Sequence, residues 1–519
     1  MRRLPLILLV IAAAVAVAVA REVRDINVYM RCGGVIRVES YPAAGVKGIS
    51  YRHRTPPPDT LIDVRMVTDT IVTIPEECDS LPPDTVFVYR EVMDTVIVPV
   101  VINEPESYDS LIVMGCDTVL ASLPLDSVIA LDATPTLPVI YIDTDSAVEE
   151  IASKTEYLTA TISMDGGALT PDLAPAMVNI RGRGNSTWKY PKKPYRLKFP
   201  KKVSLGGLPK AKSYALIANY IDESMMRNAI AFKVAQLLEI PFTPHCVPVE
   251  VVLNGRYRGL YMLTEKIGMT GASVDIPDST GVLMELDTHF DEAYQFQSAK
   301  YSLPVMLKDP DPADLGVDSA EFVDKWAADF NAMELLVSKG LWSQKIDARS
   351  FADYMLTFLI CGNREVSHPK SVYMYKEHPD SLYRMGPVWD FDWAFTFSPD
   401  SVAPFSPATL LMSRYSVGEI FFGTLIKTRK FRETCGARWE YFRDNLLPQL
   451  WEYFDAYAAL IRPAALRNGA LWPENEVNTS IPGNLSTETF DRNVAQLRRW
   501  IEQRVEFIES RKRAYFGFY

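Results

Sequence analysis

An aromatic stretch near residue 390 carries two carboxylates and constrains the chain more than any other feature. Residues 386–397 read GPVWDFDWAFTF, so Asp390 and Asp392 stand one residue apart in an apolar run. In an extended backbone both carboxylates point to one side while Phe391 points to the other. Burying them unpaired costs several kcal/mol or more. A Mg²⁺ or Mn²⁺ ion removes that cost, because hard oxygen ligands suit these cations. A structural strand end, whose aspartates cap loops or pair with arginines, is the alternative interpretation.

The composition excludes several functional classes. The 519 residues are 48% hydrophobic and 23% charged, an ordinary globular balance that allows roughly two to four domains. A net charge of −11 argues against a general nucleic-acid binder, which needs a basic face. The cysteines form no C-x-x-C and the histidines no H-E-x-x-H, so zinc chemistry has no support. The disulfide pairing stays open.

The first twenty residues, MRRLPLILLVIAAAVAVAVA, predict a secretory signal. Two arginines precede an apolar run that ends in an A-x-A-like cleavage site. An uncleaved membrane anchor is the alternative, since residues 4–20 are near the short limit for spanning a bilayer. We therefore expect an exported protein (periplasmic, cell-surface or secreted), with membrane contact only through this segment if it stays uncleaved.

The remaining chain divides by pattern into two parts. In residues 21–135, Asp-Thr or Asp-Ser recurs before β-branched runs such as residues 70–74 and 95–100, which predicts a β-rich accessory region of short strands. Residues 136–519 mix strand and helix patterns, which predicts an α+β domain. In that domain we expect strands at residues 139–143, 157–164, 194–199, 247–253, 257–264 and 281–287, and helices at 147–153, 224–238 and 350–360. A final helix carries a stripe formed by Val494, Leu497, Ile501, Val505 and Ile508.

A basic stretch follows the second of these strands. Residues 181–202 contain nine Lys or Arg and no Asp or Glu. Gly182 and Gly184 allow backbone amides to approach an anion, and Asn185 and Ser186 add donors. The stretch lacks the third glycine of G-x-G-x-x-G and the GK[ST] of a P-loop. A solvated basic hairpin is therefore the alternative interpretation.

Taken together, ordered blocks over about residues 137–519 resemble the CotH family of spore-coat-type atypical protein kinases. The blocks are IRGRGNSTW, KKPYRLKF, ALIANYIDESMMRNAIAFKVAQLL, VVLNGRYRGLYMLTEKI, GVLMELD, SFADYML, GNREVSHPKSVYMYK and GPVWDFDWAF. The resemblance implies a secreted bacterial protein with a bilobal, protein-kinase-like fold, in which a strand-rich lobe and a helical lobe hold ATP between them.

The resemblance also implies roles for particular residues. Lys198 would hold the nucleotide phosphates, helped by Arg181 or Arg183 and by the turn at Gly184, Asn185 and Ser186. The connector at residues 265–267, with Glu265 and Lys266, would offer backbone groups to adenine. Asp390 and Asp392 would bind Mg²⁺ or Mn²⁺, as in other phosphoryl transfer sites.

The polar loop departs from the family pattern. Spore-coat members carry an aspartate and then an asparagine, where this chain has Glu365 and Ser371. Glu365 would accept the substrate proton or help to hold the metal, with its carboxylate one methylene further out. Ser371 would be a weaker metal ligand. A misplacement of about 1 Å can cost on the order of 100-fold in rate.

Three functions follow from these patterns. The first is an ATP- and divalent-metal-dependent phosphotransferase acting on hydroxyl side chains of secreted or surface proteins. The second is a surface or adhesion protein that keeps the fold without transfer activity. The third keeps nucleotide and metal but transfers AMP or joins an acid to an amine.

Overall fold

The computed structural model describes residues 137–146, 150–395, 416–472 and 490–516, together with the backbone of five strands before residue 91. The chain divides into two compact units, Met1–Asp132 and Ala133–Tyr519. In the first unit β1 pairs with β2 and β5 antiparallel, and β3 pairs with β4 parallel. These strands are β1 Asp25–Cys32, β2 Val35–Pro42, β3 Gly48–Ile49, β4 Ile71–Val72 and β5 Tyr89–Arg90. β4 lies within the predicted run 70–74, whereas residues 95–100 lie outside the described residues.

The second unit begins with a closed barrel of seven strands, in the order β10-β12-β11-β6-β7-β8-β9. Neighbours are antiparallel except β6 and β11. Alternate side chains face inward, so Tyr195, Leu197 and Phe199 of β9 are buried in the barrel core. The strands are β6 Val139–Thr144, β7 Leu158–Asp165, β8 Leu173–Gly182, β9 Tyr195–Val203, β10 Ala211–Ile217, β11 Val247–Leu253 and β12 Arg256–Glu265.

A second core joins helices to an antiparallel sheet of order β14-β15-β13-β16-β17. The strands are β13 Val282–Leu286, β14 Gln295–Gln297, β15 Pro304–Asp309, β16 Val372–Lys376 and β17 Arg384–Met385. The helices are α1 Arg227–Leu237, α2 Pro312–Leu315, α3 Ser319–Ser338, α4 Ala348–Cys361, α5 Val417–Ile426, α6 Arg429–Tyr441, α7 Leu447–Leu471 and α8 Phe490–Phe516. The described residues also contain two one-turn 3₁₀ helices, Thr187–Lys189 and Trp342–Gln344, and a π-helical turn, Phe442–Leu446. The predicted α+β class is confirmed.

Two predicted helices differ from the structure. Helix α1 starts at Arg227 rather than at residue 224, because Met225 has φ +55° and the Asp222 carboxylate accepts from the backbone N–H groups of Ser224 (3.0 Å) and Arg227 (2.8 Å). Residues 150–153 are not helical, which corrects the prediction of a helix at 147–153, whose residues 147–149 lie outside the description. There Ile151 packs into the barrel core and the chain runs past β8.

The last helix packs as its apolar stripe predicts. Leu497, Ile501 and Ile508 are buried in the second core. Arg504 is buried on the same helix and donates from Nε to the Leu359 carbonyl at 2.8 Å, which ties α8 to α4. None of the described helices combines the length and apolar character needed to cross a membrane.

Candidate functional site

A cavity of about 490 Å³, here called the main cavity, is lined by segments that extend from both cores of the second unit. Its walls come from the turn after β8, the segment after β10, helix α1, the ends of β13 and β16, the loop after α4 and the segment after β17. The lining includes several residues predicted from sequence, which are Arg183, Gly184, Asn185, Ser186, Glu365, Ser371, Asp390 and Asp392.

The glycine-containing turn forms the barrel side of the main cavity. Arg183 donates its backbone N–H to the Pro194 carbonyl (3.2 Å), and Lys154 Nζ donates to the Gly184 carbonyl (2.9 Å). Gly184 has φ +83°, and a Cβ at this position would lie 2.1 Å from Thr187 Oγ1. Glycine is therefore required on two grounds, the left-handed backbone and the close approach of the threonine.

Arg183 is the cation that the turn presents to the acidic side of the cavity. Its guanidinium carbon lies 5.2 Å from the centre of the Trp389 ring. Burial lowers the pKa of Arg183, while the nearby Asp390 charge opposes that shift. The turn and the carboxylates therefore interact across one cavity.

Three carboxyl groups of the main cavity have raised pKa values. Burial, and then the neighbouring Asp390 charge, raise the pKa of Asp392 to about 7. Burial raises the pKa of Asp390, against the opposing charge of Arg183. Burial also raises the pKa of Glu365 well above its ordinary value, and Asp390 adds to the effect. The three groups disfavour one another's charged forms, which makes the cluster receptive to a cation.

Two asparagines hold these carboxyl groups in place. Asn228 on α1 donates to the Asp392 carboxylate and accepts from the Phe391 backbone N–H at 2.9 Å. Asn363, fully buried after α4, donates to the Asp390 carbonyl at 3.3 Å and accepts from the Glu365 backbone N–H at 2.8 Å. Neither asparagine stands out by residue type or spacing, although both lie inside blocks that resemble the family.

A histidine–carboxylate pair at the end of β13 also borders the main cavity. Asp287 Oδ1 lies 2.9 Å from His289 Nδ1, and Asp287 Oδ2 accepts from the Ser371 backbone N–H at 3.1 Å. Ser371 thus contributes its backbone to the loop and has φ +48°. The sequence feature that could have indicated this pair is the GVLMELD block, in which Asp287 directly follows the fully buried strand β13.

The residues fit a divalent cation that shares its coordination with a ligand. In the described part of the chain no group of three or more His, Cys, Asp or Glu side chains is arranged to hold a metal ion. Asp390 and Asp392 supply two carboxylates, and Glu365 Oε2 is buried without a hydrogen-bond partner among the described residues. Mg²⁺ commonly takes one or two carboxylates and completes its octahedron with water and phosphate oxygens. The donor set suits that kind of site and not a closed protein cage.

Lys198 and Arg181 are outside the main cavity, which corrects their expected placement. Lys198 is exposed, with Nζ 5.8 Å from the centre of the Tyr157 ring, and Arg181 lies over the same ring at 5.0 Å. Because side chains alternate on β8 and β9, both residues point away from the barrel core, on the outer face. The order of elements along the chain does not determine whether the outer face of β8 and β9 borders the main cavity.

Lys192, from the same basic stretch, does line the main cavity. Its side chain is 1% exposed and donates to the carbonyls of Ala218 (2.8 Å) and Leu260 and to Asn468 Oδ1 (2.7 Å). Burial lowers the pKa of Lys192 well below its ordinary value. With three acceptors already bound, this ammonium joins the barrel to α7.

Glu265 and Lys266 also lie elsewhere than expected. They line a second cavity, of about 400 Å³, and not the main one. The Glu265 carboxylate is occupied by His245, which donates its backbone N–H at 2.9 Å and contacts it through Nδ1 at 2.6 Å. An adenine contact through this connector has no support from the main cavity's lining.

The fold and the site define an α+β protein in which a glycine turn meets a carboxyl cluster. In a comparison with protein families, residues 180–508 match the family described as CotH kinase protein, and the chain belongs to this family. The matched region includes every described segment that lines the main cavity. A comparison with curated proteins finds no significant match.

Proposed function

We propose that this chain is an exported phosphotransferase that uses ATP with Mg²⁺ or Mn²⁺ and phosphorylates hydroxyl side chains of secreted or surface proteins. The observation that carries the proposal is that Arg183 and Gly184 line the same cavity as Asp390, Asp392 and Glu365. Phosphoryl transfer depends on positioning and charge neutralisation, which these groups supply. In this proposal the barrel and the helix-rich part act as the two lobes of a kinase-like enzyme.

The nucleotide would enter with its phosphates toward the charged wall. Arg183 and Lys370 are lining cations, and both oppose the rise in the Asp390 pKa. Ile217, Ala218 and Met262 form an apolar patch of the lining that suits a base. The volume of about 490 Å³ is within the usual range for small-molecule sites.

Asp390 and Asp392 would hold the metal ion. A bound divalent ion neutralises the negative charge on the transferring phosphoryl group. The Asp392 carboxyl group, with a pKa of about 7, must lose its proton for this role. Asn228 fixes the orientation of that carboxyl group and so determines where its ligand oxygen lies.

Glu365 would take the proton of the acceptor hydroxyl. As that oxygen bonds to the γ-phosphorus, the bond from phosphorus to the β–γ bridging oxygen breaks and ADP leaves. Glu365 Oε2 forms no hydrogen bond with the described residues, so it is available to accept a proton. The raised pKa of Glu365 also suits a general base.

Nucleotide binding can be tested by thermal unfolding with ATP and Mg²⁺ or Mn²⁺. A ligand at 100 times its Kd stabilises the folded state by about 2.7 kcal/mol, so wild type should unfold at a higher temperature. Asp390→Ala should lose this shift, whereas Asp380→Ala, at a side chain that is 93% exposed, should keep it. Absence of a shift in wild type with either metal would refute the proposal.

Transfer is tested separately by mass spectrometry of the protein and of added secreted proteins after incubation with ATP. Glu365→Gln should retain the ATP-dependent thermal shift and lose roughly 10²–10⁴-fold in transfer rate. Addition of an AMP mass would replace the phosphoryl proposal with nucleotidyl transfer. If the protein binds ATP but yields no modified product, a surface or adhesion role without transfer activity would replace the phosphotransferase proposal.

A further inference from the structure

The second cavity is lined by five cationic side chains. They are Arg196, Lys202, Lys210, Lys212 and Lys266. The cavity lies against the outer face of β9 and β10 and the connector after β12, and none of the described residues lines both it and the main cavity. A concave site with this charge attracts anions.

The acidic residues that line the second cavity either accept hydrogen bonds from other residues or are exposed to solvent. The Glu265 carboxylate is bound by His245, and Asp309 Oδ2 accepts from the Met269 backbone N–H at 3.0 Å. Asp275 and Asp278 are exposed. Asp309 also attracts Lys266 through its charge, but within the described residues it does not hydrogen-bond that ammonium.

Arg196 has a like charge beside it, because the charge of Arg181 acts on its guanidinium. It stands directly opposite Arg181 in the pairing of β8 with β9, and like charges in that position destabilise a sheet. The Nε atoms of both arginines are buried and have no hydrogen-bond acceptor within the described chain. A buried guanidinium N–H without an acceptor is costly, so an anion in the second cavity, which Arg196 lines, would relieve this cost at Arg196 and offset the repulsion from Arg181.

Lys266 lies at the other side of the same cluster. Among the described carboxylates, Asp309 acts on its ammonium through charge, without a hydrogen bond. Desolvation of the ammonium, followed by the charge of Arg196, nevertheless lowers the pKa of Lys266 to about 8. Two cations that weaken each other's charged form gain from an anion between them.

We propose that the second cavity binds a phosphoryl group, either as free inorganic phosphate or pyrophosphate or as a phosphorylated side chain of a partner protein. Arg196 would donate its guanidinium N–H groups and Lys266 its ammonium, which are charge-assisted hydrogen bonds of the kind that select phosphate. The hydroxyls of Ser213 and Thr270, both on the lining, supply further donors. This site is independent of nucleotide binding in the main cavity.

The test is calorimetric titration of the full chain with pyrophosphate and with a short phosphoserine peptide, in the presence of a chelator and without nucleotide. The chelator removes the metal ion on which nucleotide binding in the main cavity is proposed to depend. Arg196→Gln and Lys266→Ala should each weaken binding about tenfold, whereas Lys201→Ala, an exposed neighbour that does not line the cavity, should leave it unchanged. Thermal unfolding of each variant verifies that it is folded.

The two ligands distinguish the source of the phosphoryl group. Binding of the phosphopeptide, with none of its unphosphorylated form, assigns the site to a phosphoprotein, and binding of pyrophosphate alone assigns it to a free anion. If neither ligand binds wild type, or if folded Arg196→Gln and Lys266→Ala bind as wild type does, the proposal is wrong. Because Asp390 takes no part in this assay, its outcome is separate from that of the phosphotransferase proposal.

Discussion

The amide side chain of Asn228 joins helix α1 to the carboxylate of Asp392. Its Nδ2 donates to Asp392 and to Asn219 Oδ1 (3.0 Å), while its Oδ1 accepts from the Phe391 backbone N–H (2.9 Å). All four of these residues are buried. One side chain thereby sets both the backbone path and the carboxylate direction at the acidic wall of the main cavity.

Asn228→Ala should destabilise the protein by about 1–3 kcal/mol, because it leaves buried polar groups of Phe391 and Asp392 unpaired. Asn445→Ala is the matched control, since this exposed asparagine donates only to the Tyr441 carbonyl at 3.1 Å, and its effect should stay within about 0.5 kcal/mol. Urea unfolding measures both variants. Equal losses in the two would show that Asn228 has no special role.

The stability of the metal-free protein should fall as the pH rises from about 4 toward and beyond 7. Carboxyl groups titrate near 4 when unfolded, and Asp392 titrates near 7 when folded, so the folded state holds a proton that the unfolded state has lost. This contribution is fully present below the unfolded pKa and is lost as the pH rises through the folded one. Asp390 and Glu365, with raised pKa values, act in the same direction.

Urea unfolding between pH 4.5 and 8 with a chelator measures this dependence. Asp392→Asn should flatten the curve, because the substituted amide does not titrate in this range. A Mg²⁺- or Mn²⁺-dependent gain in stability should grow with pH over the same interval. A wild-type profile that matches the Asn variant would contradict the pKa assignment.

Gly184→Ala should cost more stability than Gly207→Ala. Both glycines have positive φ, +83° and +74°, so both substitutions carry the left-handed penalty of about 1–2 kcal/mol. Of the two, only Gly184 would also place its new Cβ in a collision, at 2.1 Å from Thr187 Oγ1, whereas at Gly207 nothing in the described part of the chain lies within 4 Å. Thermal or urea unfolding gives the difference, and an indistinguishable pair would mean that Thr187 moves aside freely.

Arg183→Ala should weaken ATP binding by about 10–100-fold, since charged hydrogen bonds contribute roughly 1.5–3 kcal/mol. Lys198→Ala should leave that affinity nearly unchanged, because Lys198 is exposed on the outer face of β9. Titration calorimetry with ATP and Mg²⁺ compares the variants. If only Lys198→Ala lost affinity, Lys198 would hold the nucleotide phosphates, as the family resemblance implies. The proposal that Arg183 of the main cavity holds them would then be wrong.

Local patterns predicted six of the twelve strands and two of the four α-helices described in residues 137–395. The strand at Val247–Leu253 has the bounds expected from its apolar run and the following Asn254-Gly255 turn. Helix α4 extends the predicted range by two residues at its start and one at its end. The start of α1 was missed because a side chain, Asp222, and not helix propensity determines where the backbone turns.

The site was only partly predictable for a related reason. Asp390 and Asp392 are recognisable as charges within an apolar run, Gly184 as part of a donor-rich turn, and Glu365 through its place in a block that resembles the family. Asn228 and Asn363 carry no charge, and their importance lies in partners that are 164 and 27 residues away. Such pairings depend on packing that no short window of sequence contains.

The sequence by itself determined the CotH family membership through its ordered blocks, and the α+β class and the acidic and glycine-containing segments through local periodicity and residue type. Only the tertiary structure decided that Lys198 and Arg181 face outward, that Lys192 is buried against carbonyls, and that the connector at residues 265–267 lines a separate cavity. The physical reason is that a barrel strand presents alternate residues to opposite sides. Which side borders a ligand cavity depends on how distant parts of the chain close around it.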